Sequence, residues 1–519
     1  MIRITASSRF VSGALVSWLG IMGACEPVLL AADASDGVAR TEAWFEEHRD
    51  RPPSLRAFLQ RMPKGGDIHT HLGGAVYAET YLDWALDAEY CFVESADAPG
   101  ISRCSVDPYL QRLTHELYDS GVHDQLIDRM SVRDLFLSGR SGRDQFFHAF
   151  RAFGPVSRLR IGEGAAEVAT RAANQRTFYL ELMVSLQNGA VRRLGGRIDP
   201  GSDLVSMHRW LLDSNFEFDE LLAAGRAELD ALEEELQKTL DCDAETPVPG
   251  CKVTIRYLQT TSRNVSPELV FTQLAYAVEL ARADPRVVGI NLVAPEDSRI
   301  ALRDYTAQMK MLDFLVSKVP ETNVSLHAGE LTLGLVPPED LRFHIREAVE
   351  LGHARRIGHG VDIAYEDDAL GLLAEMRERG VLVEICLTSN DVILEVTGDE
   401  HPLPMYVESG VPVTLATDDE GVSRIDLTHE YHRAALTYDL RYGDLKTMAR
   451  NSLEHSFLPG ASLWKPKTFE VVDVCAGDPA GAAKPSRACS GFLASSERAL
   501  EQWRLEAEFT EFETLSWVD

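Results

Sequence analysis

His69 and His71 are separated by one residue within an apolar stretch that reads as a β-strand, and on a strand residues two apart project from the same face. Two imidazoles on one face suit a shared metal ion. Taken alone, a His-x-His pair says little. However, His327 closes a second strand-like segment, His359 a third, and the acidic pair Asp418-Asp419 a fourth. If those strand ends meet at one mouth, three histidines and an aspartate make a ligand set for zinc, with a position left for water. The chemistry this implies is metal-assisted hydrolysis.

The elements that must bring these residues together are eight short apolar, β-branched-rich segments, most of them followed by helical-looking stretches. They run over Gly66 to Leu72, Phe178 to Val184, Lys252 to Gln259, Val287 to Val293, Asn323 to Ala328, Arg356 to Gly360, Val381 to Leu387 and Val411 to Thr417. This order predicts an α/β protein with a parallel (β/α)8 barrel, whose catalytic groups sit at the C-terminal ends of the strands. Helical insertions follow the first two strands, at Ala75 to Arg176 and Arg193 to Gly250. Within the second, Ala224 to Leu240 predicts an acidic amphipathic helix packed on one side. The expected organisation is a signal at 1–34, an extension at 35–62, the barrel at 63–460 and a C-terminal appendage at 461–519.

With 51 Lys+Arg against 81 Asp+Glu, the 519-residue chain carries a formal net charge of -30. That excess argues against nucleic acids and anionic membranes as partners and suits a small neutral or cationic substrate. Arg3 and Arg9 precede an apolar run from Phe10 to Met22, too short to span a bilayer, which predicts an export signal. Two processing sites compete: a lipoprotein-like box ending at Cys25, which would carry a lipid anchor, and cleavage after Ala32-Asp33-Ala34. The mature protein is therefore expected in the periplasm, tethered by lipid or secreted. Six of the eight cysteines fall into local pairs, Cys91 with Cys104, Cys242 with Cys251 and Cys475 with Cys489, expected as disulfides of an oxidising compartment. Cys386 is expected to stay free.

The segments MPKGGDIHTHLGG (62 to 74), SLHAGE (325 to 330), RIGHGVDI (356 to 363), VEICLTSN (383 to 390) and HPLPMYVESGVPVTLATDDEGV (401 to 422) resemble the adenosine deaminase family of metal-dependent amidohydrolase barrels. FFHAF (146 to 150), LVAPED (292 to 297) and the exported start look most like its secreted, growth-factor-related branch. The resemblance implies one Zn2+ per chain, bound by His69, His71, His327 and Asp418, and a purine nucleoside as substrate. It implies that Glu330 protonates the purine ring at N1, while His359 and Asp419 orient the attacking water, Asp419 also meeting the purine edge. The implied reaction converts adenosine and 2′-deoxyadenosine to inosine and 2′-deoxyinosine with release of ammonia. A deaminase of adenine or of a modified adenine nucleoside, or another metal amidohydrolase, is the alternative.

The chain departs from the family pattern at three places. Ala294 stands where the family usually places a glycine whose backbone N–H meets purine N3. Gly73 replaces the aspartate that reaches the ribose 5′-hydroxyl, so the sugar is expected to be held by the first insertion or held loosely. In the second strand Tyr179, Glu181 and Met183 fit a Y-x-E-x-R pattern without its arginine, which makes Glu181 a structural residue. Cys386, Asn451, Ser452 and Phe457 are expected to serve packing, and Ser389 and Asn390 to buttress the loops on the metal side.

Overall fold

The computed structural model describes residues 26–93, 100–104, 110–115, 118–212 and 216–515. The export signal and Cys25 fall largely outside them, since the first described helix begins at Glu26 (Glu26–His48).

Eleven strands are described: β1 (Gly65–His71), β2 (Cys91–Val93), β3 (Gly100–Ser102), β4 (Leu110–Arg112), β5 (Thr177–Val184), β6 (Thr254–Ser262), β7 (Val287–Val293), β8 (Ser325–Ala328), β9 (Arg356–His359), β10 (Leu382–Ile385) and β11 (Val413–Leu415). Eight of them form the barrel, as two four-stranded parallel halves in the orders β1-β5-β6-β7 and β11-β10-β9-β8. Single bridges, Ile290 with Val324 and Thr70 with Asp418, close the halves on each other. Residues of β5 are buried on both faces throughout, as expected of a strand with side chains in the barrel on one side and helices on the other.

The helices between strands carry ordinary start signals. Pro267 opens Pro267–Ala283, where its missing N–H costs nothing, and the Ser298 hydroxyl accepts from Ala301 N–H at the start of Arg299–Lys318. The helix Phe216–Thr239 buries Leu229, Leu232 and Leu236, exposes Glu217, Asp219, Glu220, Asp230 and Glu234, and uses Glu228, Glu233 and Glu235 to bond neighbouring elements.

Several boundaries differ from the sequence reading. Leu72 begins a helical turn, Leu387 begins the helix Leu387–Leu394, and Lys252 closes a 3-10 turn, because strand character ends where backbone pairing stops. The first insertion is not purely helical. It carries the antiparallel sheet β3-β2-β4, whose three-residue strands are too short to show alternation in sequence. All three local cysteine pairs are bonded, and Cys386 is free and buried. The Cys475–Cys489 link lies in a small core with Leu463, Trp464 and Trp503, beneath the C-terminal helix Glu497–Glu513. No helix among the described residues is long and apolar enough to cross a membrane.

Candidate metal centre and active site

β1 delivers His69 and His71 to the mouth of the barrel, and its seam with the last strand brings Asp418 beside them: His71 N–H donates to Asp418 O at 2.8 Å, and Asp418 N–H to His69 O at 2.9 Å. His327 arrives from β8. One side-chain atom from each of His69, His71, His327 and Asp418 lies within 4.8 Å of every other, a spacing that one metal ion can bridge. Asp418 Oδ1 stands 3.4 Å from His69 Nε2 and 3.3 Å from His71 Nε2, and the Nε2 atoms of His71 and His327 are 3.2 Å apart. These four residues fit zinc, because His69 Nε2 and Asp418 Oδ1 are buried without a hydrogen-bond partner and face the same point.

Two of the three rings are aimed by a contact on the far side. His69 Nδ1 meets Glu384 Oε2 at 2.5 Å, and His327 Nδ1 meets Asn291 Oδ1 at 2.7 Å. Carboxylate or amide oxygens behind metal-binding histidines fix the ring and leave Nε2 free to ligate. Ser389 Oγ donates to Asp418 Oδ2 at 2.7 Å, so the remaining oxygen, Oδ1, points into the site. Glu384 is held in turn by Arg356, 2.6 Å away, and Arg356 reaches Glu181 at 2.6 Å. Arg356 thus supplies from β9 the cation missing from the second strand's pattern, and Glu181 is a structural residue. It also accepts from Tyr179 Oη and Phe457 N–H.

Beside the ligand set, Glu330, His359 and Asp419 converge. His359 Nε2 and Glu330 Oε1 are 3.7 Å apart, and both atoms, with Asp419 Oδ1, are buried and unpartnered. Glu330 is placed by Glu296, whose carboxylate accepts the N–H of Gly329 at 3.2 Å and of Glu330 at 2.9 Å while meeting His344 Nδ1 at 2.6 Å. Burial, then the charges of Asp418 and Glu296, raise the Glu330 carboxyl well above its ordinary range. That shift favours the protonated form, the one able to donate. Burial pulls His359 down to about 4 and, together with its neighbouring histidines, lowers His327, so both imidazoles are neutral. Burial would raise the Asp418 carboxyl, but the His69, His71 and His359 rings close around it hold it well below its ordinary range.

Three candidate site positions have left-handed backbone: Ala294 (φ 86°), His359 (φ 71°) and Asp418 (φ 59°). Such conformations in residues with a Cβ are costly and gather where side-chain or backbone aim matters. Gly74 is needed for space: a Cβ there would stand 1.6 Å from Asp419 Oδ1. Gly73, in contrast, has nothing within 4 Å of where its Cβ would be, while its carbonyl accepts from Tyr81 Oη. The first insertion lies against the strand-end loops. Val132 N–H donates to Val422 O, Gly142 packs on Val392 O, and Arg143 forms a two-bond ion pair with Asp297, three residues beyond Ala294.

All seven residues read from sequence as ligands or catalysts gather at this mouth. The groups that sequence reading missed are those behind them: Asn291, Glu296, Glu384, Arg356 and His401. Glu384, Arg356, Glu296 and His401 sit inside motifs already singled out, and strand alternation would have turned Glu384 inward. Asn291 has no comparable signal.

Residues 218–465 match the adenosine deaminase family. That stretch contains His327, Glu330, His359, Asp418 and Asp419; His69 and His71 lie before it. An adenosine deaminase from Clostridium perfringens is 33% identical over 175 residues, covering 33% of this chain and 47% of that protein. An adenine deaminase from Rhizobium rhizogenes is 30% identical over 210 residues, 40% of this chain and 59% of that protein. The chain thus spans about half the length of the curated relatives it matches. The apo N6-methyl-AMP deaminase from Arabidopsis thaliana has the same fold, with a TM-score of 0.50 at 20% identity, covering 78% of this chain and 94% of that one.

Proposed function

Because the chain belongs to the adenosine deaminase family, we propose that it is a zinc-dependent hydrolase converting adenosine and 2′-deoxyadenosine to inosine and 2′-deoxyinosine with release of ammonia. The observation that carries this reading is the convergence of His69 Nε2, Asp418 Oδ1, Glu330 Oε1, His359 Nε2 and Asp419 Oδ1, buried polar atoms with no partner among the described residues. Leaving each unpaired costs about 1–3 kcal/mol, a penalty that a bound metal, water and substrate would remove.

His69, His71, His327 and Asp418 would hold one zinc ion, whose chemistry is to make water nucleophilic near neutral pH. Glu330, whose protonated form is favoured by burial, donates to purine N1 as water adds to C6, so the ring takes up the electron pair without a net negative charge. His359 and Asp419 orient that water. One of its two protons restores Glu330, and the other leaves with the exocyclic amine as ammonia. The backbone N–H of Ala294 is the donor for purine N3, and Gly73 leaves the end of the sugar without a side-chain acceptor.

The test is ammonia release from adenosine by zinc-loaded protein, compared with adenine. Activity on adenine alone would favour the second reading, an adenine deaminase, which the match to the Rhizobium rhizogenes enzyme supports. Release from neither would leave a different metal amidohydrolase.

The protein is further proposed to be exported, either lipid-anchored through Cys25 or released. Three bonded cysteine pairs support an oxidising compartment. Non-reducing peptide maps of material isolated from its native compartment should show the 91–104, 242–251 and 475–489 links. Six free thiols there would overturn the proposal.

A further inference from the structure

Behind His359 runs a chain of hydrogen bonds whose direction is fixed at its origin. The N–H of Leu403 can only donate, and it does so to His401 Nδ1 at 3.1 Å. His401 Nδ1 is therefore bare and the ring proton sits on Nε2, which donates to Asn390 Oδ1 at 3.0 Å. With its oxygen so engaged, Asn390 turns its amide nitrogen toward His359 Nδ1, 3.0 Å away, and donates there. His359 Nδ1 is an acceptor in consequence, and its remaining proton lies on Nε2, the atom facing Glu330 and the open site.

We infer that Asn390 and His401 are positioning residues that lock His359 in its Nε2–H form, so that it offers the reacting oxygen a hydrogen-bond donor and never a proton acceptor. The three residues are 0–2% exposed, so no bulk water competes for these bonds. Burial, followed by the charge of Arg433, also pulls His401 down to about 3, which keeps the relay neutral and its direction single. The relay spans two strand–helix units: His359 ends β9, Asn390 lies 31 residues on in the helix Leu387–Leu394 that follows β10, and His401 comes 11 residues later, just before the helix Leu403–Glu408. The fixed donor accounts for the division of labour at the site. His359 steadies negative charge as it develops on oxygen, and proton traffic is left to the carboxyl groups. The consequence for catalysis rests on the deaminase reading; the proton's location on His359 does not.

The test uses the full chain, zinc-loaded, with 15N-labelled histidine, the His359 signals being assigned by their loss in His359→Gln. Wild type is expected to show a bare Nδ1 and a protonated Nε2 at His359, whether or not adenosine is a substrate; a protonated Nδ1 overturns the inference. His401→Phe removes the donor to Asn390, frees its amide to turn over, and should lower kcat by on the order of 10²-fold with KM within about threefold, the scale of one lost donor to a developing oxyanion. His401→Gln keeps a donor to Asn390 and should restore kcat to within about fivefold of wild type, with zinc content equal in all three. Equal loss in the Gln and Phe variants, or full kcat in His401→Phe, overturns the positioning role. If the Phe variant fails to fold, the wild-type spectrum and the Gln variant still decide. A correct His359 spectrum in a protein that releases no ammonia from adenosine or adenine would sink the deaminase reading while leaving the relay standing.

Discussion

Two layers of buried polar groups lie in the barrel, a few residues apart along β9, and are built in opposite ways. In the lower layer Glu181, Arg356 and Glu384 interlock at 2.6 Å, and Glu181 gathers two further donors from Tyr179 and Phe457. In the upper layer, at the strand ends, His69, Glu330, His359, Asp418 and Asp419 each keep a buried atom without a partner. Arg356 Nε alone in the lower trio lacks an aligned hydrogen bond, and it still stands 2.6 Å from Glu384 Oε1. The open valences at the rim, in contrast, suit a bound ligand, and Glu384 of the lower layer fixes the His69 ring from behind.

That contrast can be broken first at the rim. Glu330→Gln should lower turnover by about 10²–10⁴-fold while zinc content stays at one per chain, because it removes a proton donor and leaves the ligands alone. Asp418→Ala should lose both. Near-normal turnover in Glu330→Gln would remove that residue from the chemistry. Between the layers, Glu384→Gln should weaken zinc binding by about 10–100-fold, measured by competition with a chelator, since it weakens the acceptor behind His69. Unchanged affinity would show that the two layers are independent.

A smaller effect is expected at the sugar. With Gly73 offering no acceptor, 5′-deoxyadenosine should be deaminated within about tenfold of adenosine, the scale of one absent hydrogen bond of roughly 1 kcal/mol. Gly73→Asp has the room to widen that preference. A thousandfold-scale wild-type preference for adenosine would mean that the first insertion supplies the contact instead. The least effect belongs to Ala294→Gly, which relieves a left-handed alanine and should raise stability by about 1 kcal/mol at unchanged KM. A drop in melting temperature would show that the methyl group is worth more than the backbone relief.

What sequence makes visible here follows from chemistry with short range. The eight barrel strands are legible because their apolar runs are bounded, and the rim because His69-x-His71, His327 with Glu330, and Asp418-Asp419 lie close in sequence. Arg356 meeting Glu181 across 175 positions is not legible, nor is Asn390 meeting His359 across 31, because those pairings exist only once the barrel has closed. The sheet β3-β2-β4 escapes for a different reason: three residues cannot display a period, and its position depends on the Cys91–Cys104 link and on packing against the helix Gly142–Phe153.

The two half-sheets of the barrel meet through one bridge at each seam, and the four candidate ligands divide evenly between them: His69 and His71 on one side, His327 and Asp418 on the other. A metal ion held there would act as a rivet across the closure, adding four short bonds where the backbone offers a single pair. Stripping it should therefore be felt as mechanical loosening as well as lost reactivity, with amide exchange rising first along residues 69–71 and 418, and with resistance to unfolding that tracks the free concentration of the ion.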